Sequence, residues 1–369
     1  MSIRPIAIYL PQYYPIPEND EWLGKGFTEW TDAAKARPLF KGHYQPKLPA
    51  DLGFYDLRVP EVREAQAALA KSYGIEGFCY YHYWFGNGKQ LLERPFNEVL
   101  DSGKPDFPFC LYWANEDWDG IKPGSYFGKK LIVQTYPGVK DYELHFYSLL
   151  KAFNDKRYIK VDGKPVFAVY KTMKLPHAKL FSDTVNNLAI KNGFPGMYLM
   201  AGQCPQSWNP LQHGFNAVIG SEFQTIRLSQ FDTKFYSLKK IKQSFNNTIG
   251  WQVFKPTIRL FRYQDIADSL ITSKEFSFDY YPVAIPNWDN TARFGKKALI
   301  FHDCKPELFA KHLQKAFDKV KQLPTNRRFV FLKSWNEWGE GNYLEPDQVY
   351  GLQYLEILKQ QLDKFNELH

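Results

Sequence analysis

No stretch of this 369-residue chain approaches the roughly 18 apolar residues that a membrane-spanning helix needs. The four cysteines, Cys79, Cys110, Cys204 and Cys304, form no C-x-x-C pair and have no histidines at ligand spacing. They read as free thiols suited to a reducing compartment. There is no H-x-x-x-H or H-E-x-x-H, so no metal is expected, and no G-x-S-x-G, which excludes a serine-hydrolase elbow. No G-x-G-x-x-G or phosphate-binding loop follows an apolar run, which argues against a doubly wound nucleotide fold. Met1-Ser2-Ile3-Arg4-Pro5 leads straight into an apolar strand with no signal-peptide pattern, so a soluble, cytoplasmic protein is expected. The formal net charge is +8, yet basic residues form no run longer than a pair, such as Lys239-Lys240 and Lys296-Lys297. That dispersal disfavours nucleic acid and leaves an anionic substrate compatible.

What the chain does have is aromatic side chains, 17% of its residues, bunched in polar neighbourhoods where core packing does not require them. Short β-branched and aromatic runs recur at 6–10, 77–81, 109–113, 166–170, 197–201, 217–220, 283–285 and 329–333. Between them lie helix-period segments at 59–72, 91–101, 139–154, 175–192, 266–274, 306–322 and 347–368. Eight strands alternating with helices predict an α/β chain closed into a (β/α)8 TIM barrel with elaborated βα loops. The segment from Pro306 carries Leu308, Phe309, Leu313, Phe317 and Val320 as a one-sided stripe suited to a barrel wall. With no repeat or linker, one domain over residues 1–369 is expected, with loop insertions at about 11–58, 113–137 and 222–281.

In such a barrel the site is built where strands finish. Tyr13 follows the first run, and His82, Tyr83 and Trp84 the second. Trp113, Asn115 and Glu116 close the third, Lys171 follows the fourth, Gln203 the fifth and Glu222 the sixth. Trp288 follows the seventh. After the eighth comes Lys333-Ser334-Trp335-Asn336-Glu337-Trp338-Gly339-Glu340-Gly341-Asn342-Tyr343-Leu344-Glu345. Acids, amides and tryptophans at strand ends are what sugar chemistry uses, because carboxylates move protons or attack and indole faces stack on pyranose rings. Glu337 and Glu340 are the candidate acid pair, since residues three apart on a helical turn share a side. One of them must hold its proton near pH 7 through burial and a like-charged neighbour. Tyr13, His82, Tyr83, Trp84, Trp113, Asn115, Glu116, Glu222, Trp288, Trp335, Asn336 and Trp338 are the candidate substrate contacts.

The runs Ala7-Ile8-Tyr9-Leu10-Pro11-Gln12-Tyr13-Tyr14-Pro15, Gly26-Phe27-Thr28-Glu29-Trp30, Gly77 to Phe85, Trp113-Ala114-Asn115-Glu116 and Trp335 to Pro346 together resemble the WbsX-like family. That family is found with bacterial lipopolysaccharide O-antigen and other surface-polysaccharide biosynthesis, and is related to glycoside hydrolase family 99, the endo-α-mannosidases and endomannanases. The resemblance implies a (β/α)8 barrel and retaining chemistry without a cofactor. Glu337 would help the sugar's own 2-hydroxyl attack the anomeric carbon, giving an anhydrosugar. Glu340 would be the general acid/base at the leaving oxygen, and Glu345 a structural or secondary contact. Family 99 hydrolases typically carry His before the second acid, where this chain has Gly339.

The expected substrate is an oligosaccharide or glycolipid of a bacterial surface polysaccharide, with peripheral association with envelope assembly. A nucleotide-sugar donor would need a diphosphate site, for which Lys171, Arg227, Arg259, Arg262 and Arg293 are the available cations. Hydrolase and transferase remain alternatives. The rivals are a non-catalytic glycan-binding barrel and a basic scaffold in an envelope complex.

Overall fold

Strands buried on both faces need unbroken apolar runs, and the short runs of this chain form such strands. The computed structural model describes residues 2–120, 128–220 and 258–368. Among the described residues, nine parallel strands are β1 (Arg4–Tyr9), β2 (Gly77–Trp84), β3 (Phe109–Trp113), β4 (Lys164–Val169), β5 (Tyr198–Ala201), β6 (Ala217–Ile219), β7 (Asp279–Tyr281), β8 (Val283–Ala284) and β9 (Phe329–Leu332). Their order is β7-β6-β5-β4-β3-β2-β1-β9-β8. Only Pro282 separates the two ends of that path, β7 and β8. One extended segment therefore pairs with β6 through its first half and with β9 through its second, and the sheet closes. Proline has no N–H to give a ladder, so it divides the segment. Its carbonyl still accepts from Phe331 N–H at 3.0 Å. The result is the (β/α)8 barrel; each of the eight runs contributes a strand, and residues 279–281 extend the seventh.

The outer wall contains the helices Pro60–Ser72, Arg94–Ser102, Val139–Asn154, Ala178–Lys191, Pro306–Val320 and Gln353–Leu368. In the fifth of these Phe309, Leu313, Phe317 and Val320 are fully buried, as the stripe requires. The helix expected at 266–274 is corrected to a single turn, Tyr263–Ile266, followed by the 3₁₀ turn Ala267–Ser269. β-branched Ile271 and Thr272 do not extend it. The last helix starts later than expected because the Asp347 carboxylate accepts from the Val349 and Tyr350 N–H groups and folds a turn first.

Alternation along β2 sorts its side chains. Tyr81 stacks on Tyr112 inside the barrel at 5.8 Å. Tyr80 meets Phe96 of the helix outside, and His82 meets His145 of another. The first βα loop carries two helices that the sequence pattern did not announce, Pro17–Leu23 and Glu29–Lys35. The second lays Trp30 against Trp338, 5.5 Å between ring centres. Among the described residues no helix is long and apolar enough to cross a membrane.

Candidate active site

The chain leaves β9 through Lys333 and Ser334, then makes a small antiparallel ribbon in which Asn336–Glu337 pairs with Asn342–Tyr343. The 3₁₀ turn Trp338–Glu340 joins the two arms. Glu337 ends the first arm just before this turn and Glu340 closes the turn, near enough for the charge of Glu337 to act on Glu340. Gly341 completes it at φ 54°, where a Cβ would stand 2.6 Å from the Asp289 carbonyl. Only glycine meets both demands.

The ribbon is anchored on every side. Asn336 accepts from Leu10 N–H at 2.8 Å and donates to its carbonyl at 3.0 Å. Asn287 accepts from Tyr343 N–H and donates to its carbonyl, while Asn342 donates to the carbonyls of Asn287 and Lys333. Trp338 stacks on Tyr343 at 3.8 Å, and its indole N–H donates to Glu345 at 2.7 Å. Glu345 also accepts from Tyr55 and Gln66. Burial pushes the Glu345 carboxyl up to about 7 despite these donors.

The two acids have opposite surroundings. Glu337 accepts from Lys333 Nζ at 2.8 Å and from Ser334 Oγ at 2.9 Å, both at Oε2. Burial alone would raise its pKa, but the charges of Lys333 and Arg293 and these two hydrogen bonds outweigh that and hold it below the ordinary range. Among the described residues Glu340 receives one such bond, from Arg293 Nη1 to Oε1 at 2.8 Å. Burial, assisted by the Glu337 charge and opposed by Arg293, raises its carboxyl to about 7. The other arm of Arg293, Nη2, reaches the buried Glu29 at 2.9 Å. Burial raises Glu29 as well, with Arg293 offsetting part of it. At neutral pH the pair is thus one carboxylate and one carboxyl that keeps much of its proton.

Of the other residues singled out, Tyr83 lies within reach of the charges of Glu337 and Glu116, and Trp288 lies under Lys333. Lys333 sits 5.4 Å above the Trp288 ring. Burial, then the charges of Glu337 and Glu116, push the Tyr83 hydroxyl up. Glu116 is ion-paired with Lys171. The expectation for His82, Trp84 and Trp113 is corrected by the alternation of their strands. His82 is 2.8 Å from His145, Trp84 donates to Asp141, and Trp113 packs on His145 and Phe181, all on outer helices. Tyr13, Asn115, Trp335, Asn336 and Trp338 are wholly or almost wholly buried and brace the site from behind. Tyr13, for instance, bonds the backbone of Asn336 and Trp338, and Asn115 clasps the backbone of Lys171. Glu222 and Arg227 lie outside the described residues. Of the proposed diphosphate cations among the described residues, Arg262 pairs with Asp265, Lys171 with Glu116, and Arg293 with Glu29 and Glu340.

Lys333, Ser334 and Glu29 were visible in the motifs without a role, since only the folded chain shows which way their side chains turn. Among the described residues no group of three or more His, Cys, Asp or Glu could hold a metal ion.

Comparison with known proteins agrees with this architecture. The family model described as glycosyltransferase WbsX matches residues 5–358. The uncharacterized protein WxcX of Xanthomonas campestris pv. campestris is 33% identical over 360 residues, which is 97% of this chain and 49% of WxcX. The chain thus spans about half the length of the curated relatives it matches. Among solved structures, the family 99 endo-α-mannosidase of Bacteroides thetaiotaomicron superimposes with a TM-score of 0.59 at 13% identity, covering 99% of this chain and 97% of that one. A glycoside hydrolase-like protein gives a TM-score of 0.56 at 17% identity, covering 98% and 94%. At such identities the likeness is one of fold.

Proposed function

This chain belongs to the WbsX glycosyltransferase family, and on that footing we propose that Glu337 and Glu340 make or break a glycosidic bond with retention at the anomeric carbon. Membership supports a carbohydrate-active enzyme working at a glycosyl bond. The observation that carries the finer reading is the division of protonation: Lys333 and Ser334 keep Glu337 ionised, while Glu340 holds its proton up to about 7. Both donors to Glu337 use Oε2, and Arg293 donates to Oε1 of Glu340. The opposite oxygen of each acid is then the one for substrate.

In the proposed reaction Glu337 accepts the proton of the sugar's 2-hydroxyl as that oxygen attacks the anomeric carbon. Glu340 gives its proton to the departing oxygen, and a 1,2-anhydrosugar forms. Glu340, now ionised, takes a proton from an incoming hydroxyl that opens the anhydro ring at the anomeric carbon, and Glu337 returns the proton to the 2-oxygen. Water as the incoming group gives hydrolysis; a sugar hydroxyl gives transfer. The substrate proposed is an oligosaccharide or glycolipid of a bacterial surface polysaccharide such as O-antigen, handled in the cytoplasm.

The test is incubation with activated glycosyl donors and with oligosaccharides cut from the source organism's surface polysaccharide, with products followed by mass spectrometry. Glu337→Gln and Glu340→Gln are expected to abolish turnover while keeping glycan affinity within a few-fold. Full activity in either variant would overturn the assignment, and binding without turnover by the unaltered protein would favour a glycan-binding barrel.

A further inference from the structure

Glu29 belongs to the run Gly26-Phe27-Thr28-Glu29-Trp30, to which the proposed reaction gives no task. It opens the helix Glu29–Lys35, where Thr28 and Thr31 cap each other's backbone. Its own N–H is held by the Gln12 carbonyl at 3.2 Å. The backbone beneath the side chain is therefore fixed, and the carboxylate points through the loop at Arg293, which it meets at 2.9 Å on the arm opposite Glu340. Space for it exists because residue 339 has no side chain. A Cβ there would overlap Oε2 of Glu29 and stand 3.0 Å from Nε of Arg293. Gly339 lies outside the left-handed region of the backbone, so its smallness answers a need for room.

We propose that Glu29 is a positioning residue of the acid pair, taking half of Arg293 so that Glu340 keeps its proton, and that Gly339 is the opening that admits it. The proposal rests on the acid role given to Glu340 above. The reason is a charge count. Lys333 and Arg293 are balanced by Glu337 and Glu29; Lys333, Glu337 and Glu29 are buried, and Arg293 is 19% exposed. Among the described residues, an ionised Glu340 is a fifth charge that must share Arg293 with Glu29, and burial penalises it. Without Glu29 the other three of these four groups carry one surplus positive charge, which favours an ionised Glu340. Among the described residues, the remaining charged groups that face these acids do not reverse the sign. Asp32 faces Glu29 from its own helix. Glu116 faces Tyr83 from across the mouth and is matched by Lys171. Tyr13 and Tyr83 have hydroxyls that burial keeps neutral.

Protonation can be read without knowing the substrate, by carbon-13 NMR of protein labelled at the glutamate carboxyls, with Glu340→Gln identifying the Glu340 signal. In Glu29→Gln the Glu340 midpoint is expected to fall by about 1–3 pH units, the usual effect of an unshared neighbouring cation. Gly339→Ala should move it the same way, because it displaces the Glu29 carboxylate while keeping every charged residue. Glu29→Asp, drawn back by one methylene, should give a smaller shift of the same sign, and serves if the other two fail to fold. An unmoved midpoint in any folded variant of the three overturns the proposal. The two layers separate cleanly: a shifted midpoint in a protein that turns over no glycan sinks the catalytic reading alone, and an unshifted midpoint in an active enzyme sinks this one alone.

Discussion

Lys333 Nζ lies 2.8 Å from Glu337 Oε2, and neither side chain has more than 7% of its surface exposed. A buried pair of this kind is costly to break, since removing one partner strands the other, at about 3–5 kcal/mol. Lys333→Met is expected to lose stability on that scale in denaturant unfolding and to raise the Glu337 pKa. The sign follows from linkage. A carboxyl whose folded pKa is depressed contributes stability above its unfolded value, lost as pH falls through the folded one. The gap between wild type and Lys333→Met should therefore narrow below about pH 4. A gap that stays constant from pH 7 to pH 3 would mean that the lysine acts by packing alone.

The activity profile should be bell-shaped in kcat/KM. Its acid limb lies below the ordinary carboxylate range, set by Glu337, and its alkaline limb near 7, set by Glu340. Activity is then expected to fall toward tenfold per pH unit above the alkaline midpoint. Arg293→Met removes the cation that opposes protonation of Glu340 and should move the alkaline limb upward. An alkaline limb unchanged by that substitution would show that some other group sets it.

Glu345 takes hydrogen bonds from Tyr55, Gln66 and Trp338, all buried. Glu345→Leu leaves three donors without an acceptor, each worth about 1–3 kcal/mol when orphaned. The expected result is a loss of several kcal/mol in urea unfolding and a lower kcat, because Trp338 begins the turn that carries Glu340. Glu345→Gln keeps one acceptor oxygen and should be milder in both measurements. Equal loss in the two variants would point to size rather than hydrogen bonding.

His82 and Tyr83 are sequence neighbours on opposite faces of β2, so they should behave oppositely. Tyr83→Phe is expected to change kcat or KM by severalfold with little loss of stability. The double variant His82→Phe with His145→Phe should leave kinetics unchanged and alter only acid stability. Burial pulls both histidines below the ordinary value, His82 to about 3, with His82 adding to the effect on His145. Groups held neutral in the folded state stabilise it fully above the unfolded pKa of about 6.5, and that contribution is lost as pH falls below it. The double variant should therefore lose stability less steeply between pH 6.5 and 4, by up to about 1.4 kcal/mol per pH unit for each histidine. Melting temperatures across that range, with steady-state kinetics, check both halves.

Barrel strands were legible because a strand buried on both faces can be built only from a short apolar run, and Phe109–Trp113 matches its run residue for residue. The helix Val139–Asn154 was equally plain from its periodicity. The acids of the ribbon were legible from their place after the last strand. Which face of a strand points inward is a matter of parity, and a run of eight aromatic-rich residues, all buried, shows no alternation in polarity from which to read it. That is why Tyr83 and His82 could not be told apart. Glu29 and Arg293 are separated by more than half the chain and meet only through the folded first loop, so no local pattern announces them. Tryptophans at strand ends looked like sugar platforms, yet Trp335 and Trp338 have no face left for a ligand once Phe78 and Tyr343 pack on them and both are buried.

The clasp between Asn336 and Leu10 joins residues 326 positions apart, and that between Glu345 and Gln66 joins residues 279 apart. On a ribosome adding about 5–20 residues per second, the second partner of the first clasp emerges roughly 15–65 s after the first. Strands near the start must wait that long with one flank of β1 unpaired, exposed to other nascent chains, before β9 arrives to cover it. The acid ribbon forms in the same event, so turnover by the proposed acid pair would also report that the barrel has been completed.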